Sequence, residues 1–292
     1  EIASCLVGSE MCIRDSTYSA KASDRDHRQY DYVLILNSYN ESAPWSNSIT
    51  SPIMHKISEL KDIDAYIEHL NLFMVNDSVM VDRFPQMLLN KYGKTPPKLL
   101  VLLGSMSMIF REEIKEMWGD VSILVCDSDP YIYTEEYYRK QDVTTPENKI
   151  HVDSLRDDYN ITFMHTPAYL KESVKLMTRM IPNMKKLIFL GDGIYPNPEY
   201  NKQLKNIITR DFPYLQYQFI SSYNYTLPEL YNALRNADKE TGVLVSTWFA
   251  ETLTSQQMLI NAYRSLSSIS SPLFSICLLY TSPSPRDKRQ SR

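Results

Sequence analysis

The stretch "YVLILNSYNESAPWSNSI", Tyr32 to Ile49, changes character twice. Tyr32–Leu36 is nearly uninterrupted apolar sequence, the mark of a strand covered on both faces rather than one with a wet side. A polar and aromatic turn follows at Asn37-Ser38-Tyr39. Beyond it Ile49, Ile53, Ile57 and Leu60 recur at helical spacing, and Ser51-Pro52 is predicted as that helix's N-cap and first position. Strand, polar turn and helix in that order make the repeating unit of an α/β protein.

The unit recurs outward along the chain. "LLVLL" (Leu99–Leu103) and "SILV" (Ser122–Val125) read as further central strands, and "IDAYIEHLNLF" (Ile63–Phe73) as a less uniform one nearer an edge. "SVMVDRFPQMLLNKYG" places Met80, Phe84, Met87 and Leu88 on one helical face and closes on Gly93, with Pro85 kinking that helix or marking its start. In the second half Thr166-Pro167 is predicted to cap a helix through "AYLKESVKLMTRMI". "KKLIFLGDG" is a strand, Asn197-Pro198 caps "EYNKQLKNIITRDF", and "YLQYQFISS" is a strand. Thr226 opens "LPELYNALRNAD", "GVLVSTW" is a strand, "TSQQMLINAYRSLSS" a helix and "SPLFSI" a strand. The plan breaks around "HVDSLRDDYNITFMHTPAY". The expectation is two α/β lobes of similar build, 30–163 and 164–276, the second incomplete, each a parallel sheet with helices on both faces.

The two ends fit no such unit. "CLLYTSPSPRD" (Cys277–Asp287) resembles a translated transposase sequencing adapter, and "CLVGSEMCIRD" (Cys5–Asp15) the translation of its reverse complement. Residues 1–16 and 277–292 are therefore set aside from fold reasoning as adapter. Residues 17–29 form a polar leader in which Ala20 and Ala22 have the small-residue spacing of a signal-peptide remnant. Of four cysteines only Cys126 lies between the flanks. That excludes an internal disulfide and any Cys/His zinc spacing, and its apolar surroundings read as a buried structural thiol. The formal net charge is −4, without the basic stripe that a nucleic-acid surface requires. No apolar run reaches the ~20 residues of a membrane span.

Chemistry-bearing motifs are scarce. There is no phosphate-binding G-x-x-x-x-G-K-[ST], no G-x-G-x-x-G after a strand and no nucleophile elbow. The five histidines are scattered without metal-ligand spacing. Asp127 and Asp129 in "DSD" offer a cation or phosphorylation site, or a plain turn with an Asx cap. What remains is positional, because open parallel sheets bind ligands beyond the carboxyl ends of their strands. Those ends carry Asn37, Ser38, Tyr39 and Trp45, then Gly104 and Ser105, then Asp127 and Ser128. In the second lobe they carry Asp192, Ser222, Tyr223 and Trp248. Hydrogen-bonding groups with stacking faces suit a small-ligand cleft.

On "YVLILNSYNESAPWSNSI", "IPNMKKLIFLGDG" and "SPLFSI", the chain from about Tyr30 to Ile276 resembles periplasmic-binding-protein-like sensor domains, which are similar to the substrate-binding proteins of certain ABC transporters. The resemblance implies a type I periplasmic-binding fold, truncated at its C-terminal side, with a small molecule held between the lobes at the twelve residues just named. It further implies an extracytoplasmic, periplasmic input to a membrane histidine kinase, whose downstream transmembrane and kinase modules would be its partners, with dimerisation in keeping. No cofactor, metal, catalytic residue or nucleic-acid partner is implied. A free solute-binding protein of an ABC importer is the alternative. An α/β enzyme is a second one, for which only "DSD" and Asp192 offer candidate groups.

Overall fold

The computed structural model describes residues 31–41, 43–72, 82–139, 149–191, 195–221, 224–246 and 271–276. The two flanks, the leader and the helix expected at Thr254–Ser268 lie outside them. The run at Tyr32–Leu36 is the middle of β1 (Asp31–Asn37), buried at every position after Asp31. Parallel neighbours flank it, β2 (Ile63–His69) and β3 (Leu99–Leu103). Next come β4 (Ile123–Asp127), a small antiparallel ribbon of β5 (Tyr131–Ile132) and β6 (Ile150–His151), and β7 (Ile161–His165). The main sheet runs β2-β1-β3-β4-β7, parallel throughout. Its register aligns Asn37 with His69 and Leu103, and Asp127 with His165, so the polar strand ends share one edge.

Successive residues of a strand face opposite sides, and both sides are covered at the centre of the sheet, which explains why the interiors of β1, β3 and β4 lack polar positions. Val33, Ile35, Val101 and Leu103 pack under α1 (Pro44–Ser58). Leu34, Leu36, Leu100 and Leu102 pack on the other side against Leu88 of α2 (Phe84–Tyr92), a 3-10 turn (Ser105–Phe110), and Ile114 and Trp118 of α3 (Arg111–Trp118). A short α4 (Glu135–Arg139) follows β5. Cys126 is fully buried on the α1 side, and burial pushes its thiol up to about 11, as a structural thiol requires.

The second sheet joins β8 (Lys186–Gly191), β9 (Gln216–Ser221), β10 (Thr241–Val245) and β11 (Leu273–Ser275) in the parallel order β11-β10-β8-β9. Leu187, Phe189 and Leu244 face α5 (Leu170–Met180) and α6 (Asn197–Asp211). Ile188, Leu190, Val243 and Val245 face Leu230 and Leu234 of α7 (Leu227–Arg235). Gly242 lets α5 settle close: a Cβ there would lie 2.7 Å from the Cε atoms of both Met177 and Met184. The expected α/β class, with two parallel sheets each covered on both faces, is the class observed.

Helix starts are where expectation and structure part. α1 begins at Pro44, so Pro52 lies inside the helix instead of opening it. Trp45 extends the spacing of Ile49, Ile53 and Ile57 back by one turn, and all four pack on the sheet. That burial outweighs the hydrogen bond lost at Pro52, about 3 kcal/mol in a helix interior. α5 starts at Leu170, after Tyr169 in the left-handed region (φ 48°), not at Thr166-Pro167. Thr166 donates its N–H to the Asp127 carbonyl at 2.8 Å, which keeps it in the strand ladder. Pro85 marks a start, since α2 begins at Phe84. Thr226 and Glu229 form the capping box that opens α7.

Leu102 and Phe189 are fully buried, one in each lobe, whereas Leu60 is 48% exposed. Leu102→Ala or Phe189→Ala should each cost about 2–5 kcal/mol, against about 0.5 kcal/mol or less for Leu60→Ala. Urea denaturation of the three variants beside the parent checks the order.

Candidate functional site

The strand-end residues of the first sheet are brought together, mostly by hydrogen bonds to one another. Asn37 is fully buried. Its Nδ2 lies 2.9 Å from His69 Nδ1 and donates to Ser46 Oγ at 3.2 Å, and its Oδ1 accepts the Tyr39 N–H at 3.1 Å. Asn37 therefore shapes the turn that aims Tyr39. Ser38, also buried, pairs its Oγ with Ser107 Oγ at 2.5 Å and donates to the Gly104 carbonyl at 3.3 Å. Trp45 stands edge-on to Tyr39, centroids 5.4 Å apart, while the rest of its ring packs on the sheet.

Gly104 is required by geometry. Its φ of +84° lies in the region that favours glycine, and a Cβ would meet Tyr39 Cε2 at 3.0 Å and Ser38 at 3.2 Å. The turn it makes delivers Ser105 to Asp127, whose Oδ2 accepts the Ser105 main-chain N–H at 2.5 Å. Asp127 Oδ1 accepts from the main-chain N–H groups of Ser128 at 2.6 Å and Asp129 at 3.4 Å. Asp129 in turn accepts the Tyr131 N–H at 3.2 Å and the Tyr133 hydroxyl at 2.5 Å. "DSD" is thus a pair of Asx turns. Burial raises the Asp127 carboxyl pKa above its ordinary value, partly opposed by the Ser105 N–H, and burial also raises Asp129. Among the described residues no Lys or Arg forms an ion pair with either, and no group of three His, Cys, Asp or Glu could hold a metal ion.

The other side of the site comes from residues that sequence reasoning passed over. Tyr195 follows β8, and Glu199 and Tyr200 lie in the first turn of α6. The Tyr137 hydroxyl donates to Glu199 Oε1 at 2.5 Å, and Ser128 Oγ pairs with the Tyr200 hydroxyl at 2.8 Å. Tyr195 packs between Tyr138, edge-on at 5.0 Å, and Tyr133 at 5.6 Å. The signal for them was compositional, 21 tyrosines in 292 residues, and it clusters in "YIYTEEYY". Asp192, Ser222, Tyr223 and Trp248 lie outside the described residues.

Beside these contacts is a cavity of about 370 Å³, lined by Ser128, Asp129 and His165 from the first sheet and by Lys171, Glu199 and Tyr200 from the second half. A larger depression of about 530 Å³ is lined by α2 and the arginine before it, Arg83 to Lys91. It touches none of the strand ends.

Two expectations follow. Gly104→Ala should destabilise the fold by at least about 1 kcal/mol, from the positive φ alone, as read by urea denaturation. An aspartate whose folded pKa is raised contributes stability that is fully present below its unfolded pKa of about 4 and is lost as pH rises through the folded value. Stability measured across that window should fall less steeply with rising pH in Asp127→Asn than in the parent. An unchanged slope would mean that Asp127 does not titrate there.

No protein-family model matches the sequence, and no curated protein matches it either. Among solved structures, the fold is similar to that of a conserved domain protein from Vibrio cholerae, with a TM-score of 0.53 at 11% identity over 85% of this chain and 75% of that one. A periplasmic sugar-binding protein of an ABC sugar transporter from Legionella pneumophila aligns with a TM-score of 0.49 at 13% identity, over 84% and 81% of the two chains. A periplasmic solute-binding protein from Actinobacillus succinogenes with bound D-allose aligns at 0.47 and 12%, over 81% and 73%.

Proposed function

We propose that the chain is an extracytoplasmic, periplasmic binding module that takes a small polar molecule between its lobes and serves as the input of a membrane histidine kinase. The observation that carries the binding reading is the cavity at the strand ends, lined from both halves of the chain by polar and apolar side chains together. Its volume of about 370 Å³ falls within the range of small-molecule pockets, about 300–1,000 Å³. Binding, not turnover, suits Asp127. Its two oxygens already accept three main-chain N–H groups, so it orders the loop.

A molecule touching Ser128 and Asp129 on one side and Lys171 and Glu199 on the other binds the closed arrangement better than an open one. Only that difference in affinity shifts the lobe angle. In the parent protein the angle would be read by the transmembrane and kinase modules that follow.

Thermal denaturation with a panel of sugars, polyols, amino acids and nucleosides, D-allose and myo-inositol included, is the test. A true ligand at about 100 times its Kd should add about 2.7 kcal/mol of stability. No shift with any compound would overturn the binding reading, and chemical turnover would replace it with an enzyme. Genomic sequence beyond Ile276 tests the sensor role: a membrane helix and kinase core support it. A stop codon would assign the same cleft to a free solute-binding protein of an importer.

A further inference from the structure

The residue that fills the meeting point of the strand ends belongs to the chain itself. Tyr195 follows β8 of the second sheet, yet it is 4% exposed and is packed within the hydrophobic cluster of the first lobe. Its ring sits against Tyr138 and Tyr133. Its hydroxyl reaches both Ser105 Oγ and Asp127 Oδ1 at 3.5 Å, the outer limit of a hydrogen bond. Within one helical turn, Glu199 and Tyr200 make the firmer ties to Tyr137 and Ser128. Three side chains between 195 and 200 thus reach into the first lobe.

We propose that Tyr195 is an internal occupant of the strand-end crevice beside the cavity, an autoinhibitory contact that holds the lobes together without ligand and must leave before Ser105 and Asp127 can be reached. Its significance rests on the binding reading above, but its test does not. If the occupied form dominates, the apparent affinity for any molecule using Ser105 or Asp127 is reduced by the fraction of chains in which Tyr195 has withdrawn. The Glu199 and Tyr200 ties bias that fraction, because both act on the same turn.

The experiment compares the full chain with Tyr195→Ala, Tyr195→Phe and the double variant Tyr137→Phe/Tyr200→Phe. Small-angle X-ray scattering reports lobe separation, and thermal denaturation is run with and without 4-methylphenol, which has the shape of the missing side chain. Tyr195→Ala should scatter with a larger radius of gyration and should be stabilised by 4-methylphenol, which leaves the parent unaffected. Tyr195→Phe, which keeps the ring, should stay close to the parent. The double variant, which leaves Tyr195 in place, should also expand, and it supplies the reading if Tyr195→Ala does not fold. For a compound that shifts the parent in the panel, Tyr195→Ala should bind about tenfold more tightly or better. Unchanged scattering in the folded variants, or weaker binding of a panel ligand by Tyr195→Ala, would overturn the proposal. Expansion and 4-methylphenol binding without any panel ligand would uphold the contact while removing the binding reading.

Discussion

A carboxylate taken out of water is among the most expensive groups a fold can contain, and this one places Asp127 at the point where its parts meet. The cost is offset locally, by main-chain N–H groups from Ser105, Ser128 and Asp129. Those donors are available only if the chain turns sharply after β3 and again after β4. Gly104 supplies the first turn, the Asx geometry of "DSD" supplies the second, and the Asp127 carbonyl holds Thr166 to the end of β7. One buried acid thereby fixes the ends of three adjacent strands, and the second half of the chain touches it through Tyr195.

The strands were legible because burial on both faces erases polar positions, and because "YVLIL" and "LLVLL" are short runs closed by turn residues, too short for a buried helix. Helix starts were less so. Pro52 and Pro167 each carry the local signature of a first turn, yet tertiary demands overrode it: packing of Trp45 in one case, the hydrogen bond from Thr166 to Asp127 in the other. Thr226 kept its promise because its partner, Glu229, is three residues away.

The site divides along the same line. That Asn37, Ser38, Gly104, Ser105, Asp127 and Ser128 gather at one edge followed from strand order and from the rule that ligands sit beyond strand ends. Their roles did not follow, because a polar side chain reads the same in sequence whether it faces a ligand or a neighbour. Asn37 and Ser38 turn out to hold the scaffold. The tyrosines were passed over for a different reason. Tyr137 and Glu199 are 62 positions apart and Ser128 and Tyr200 are 72, and no local periodicity ties one to the other.

Gly242 has an evolutionary consequence. The absence of a side chain there is shared property, held jointly with the methyl ends of Met177 and Met184. A lineage can acquire alanine at 242 only where the methyl ends of both methionines turn aside, which their flexible side chains can do, so the tolerance of that position is set by the neighbours and not by the backbone. Positions 177, 184 and 242 should therefore drift as a group among descendants of this sequence, coupled through packing alone.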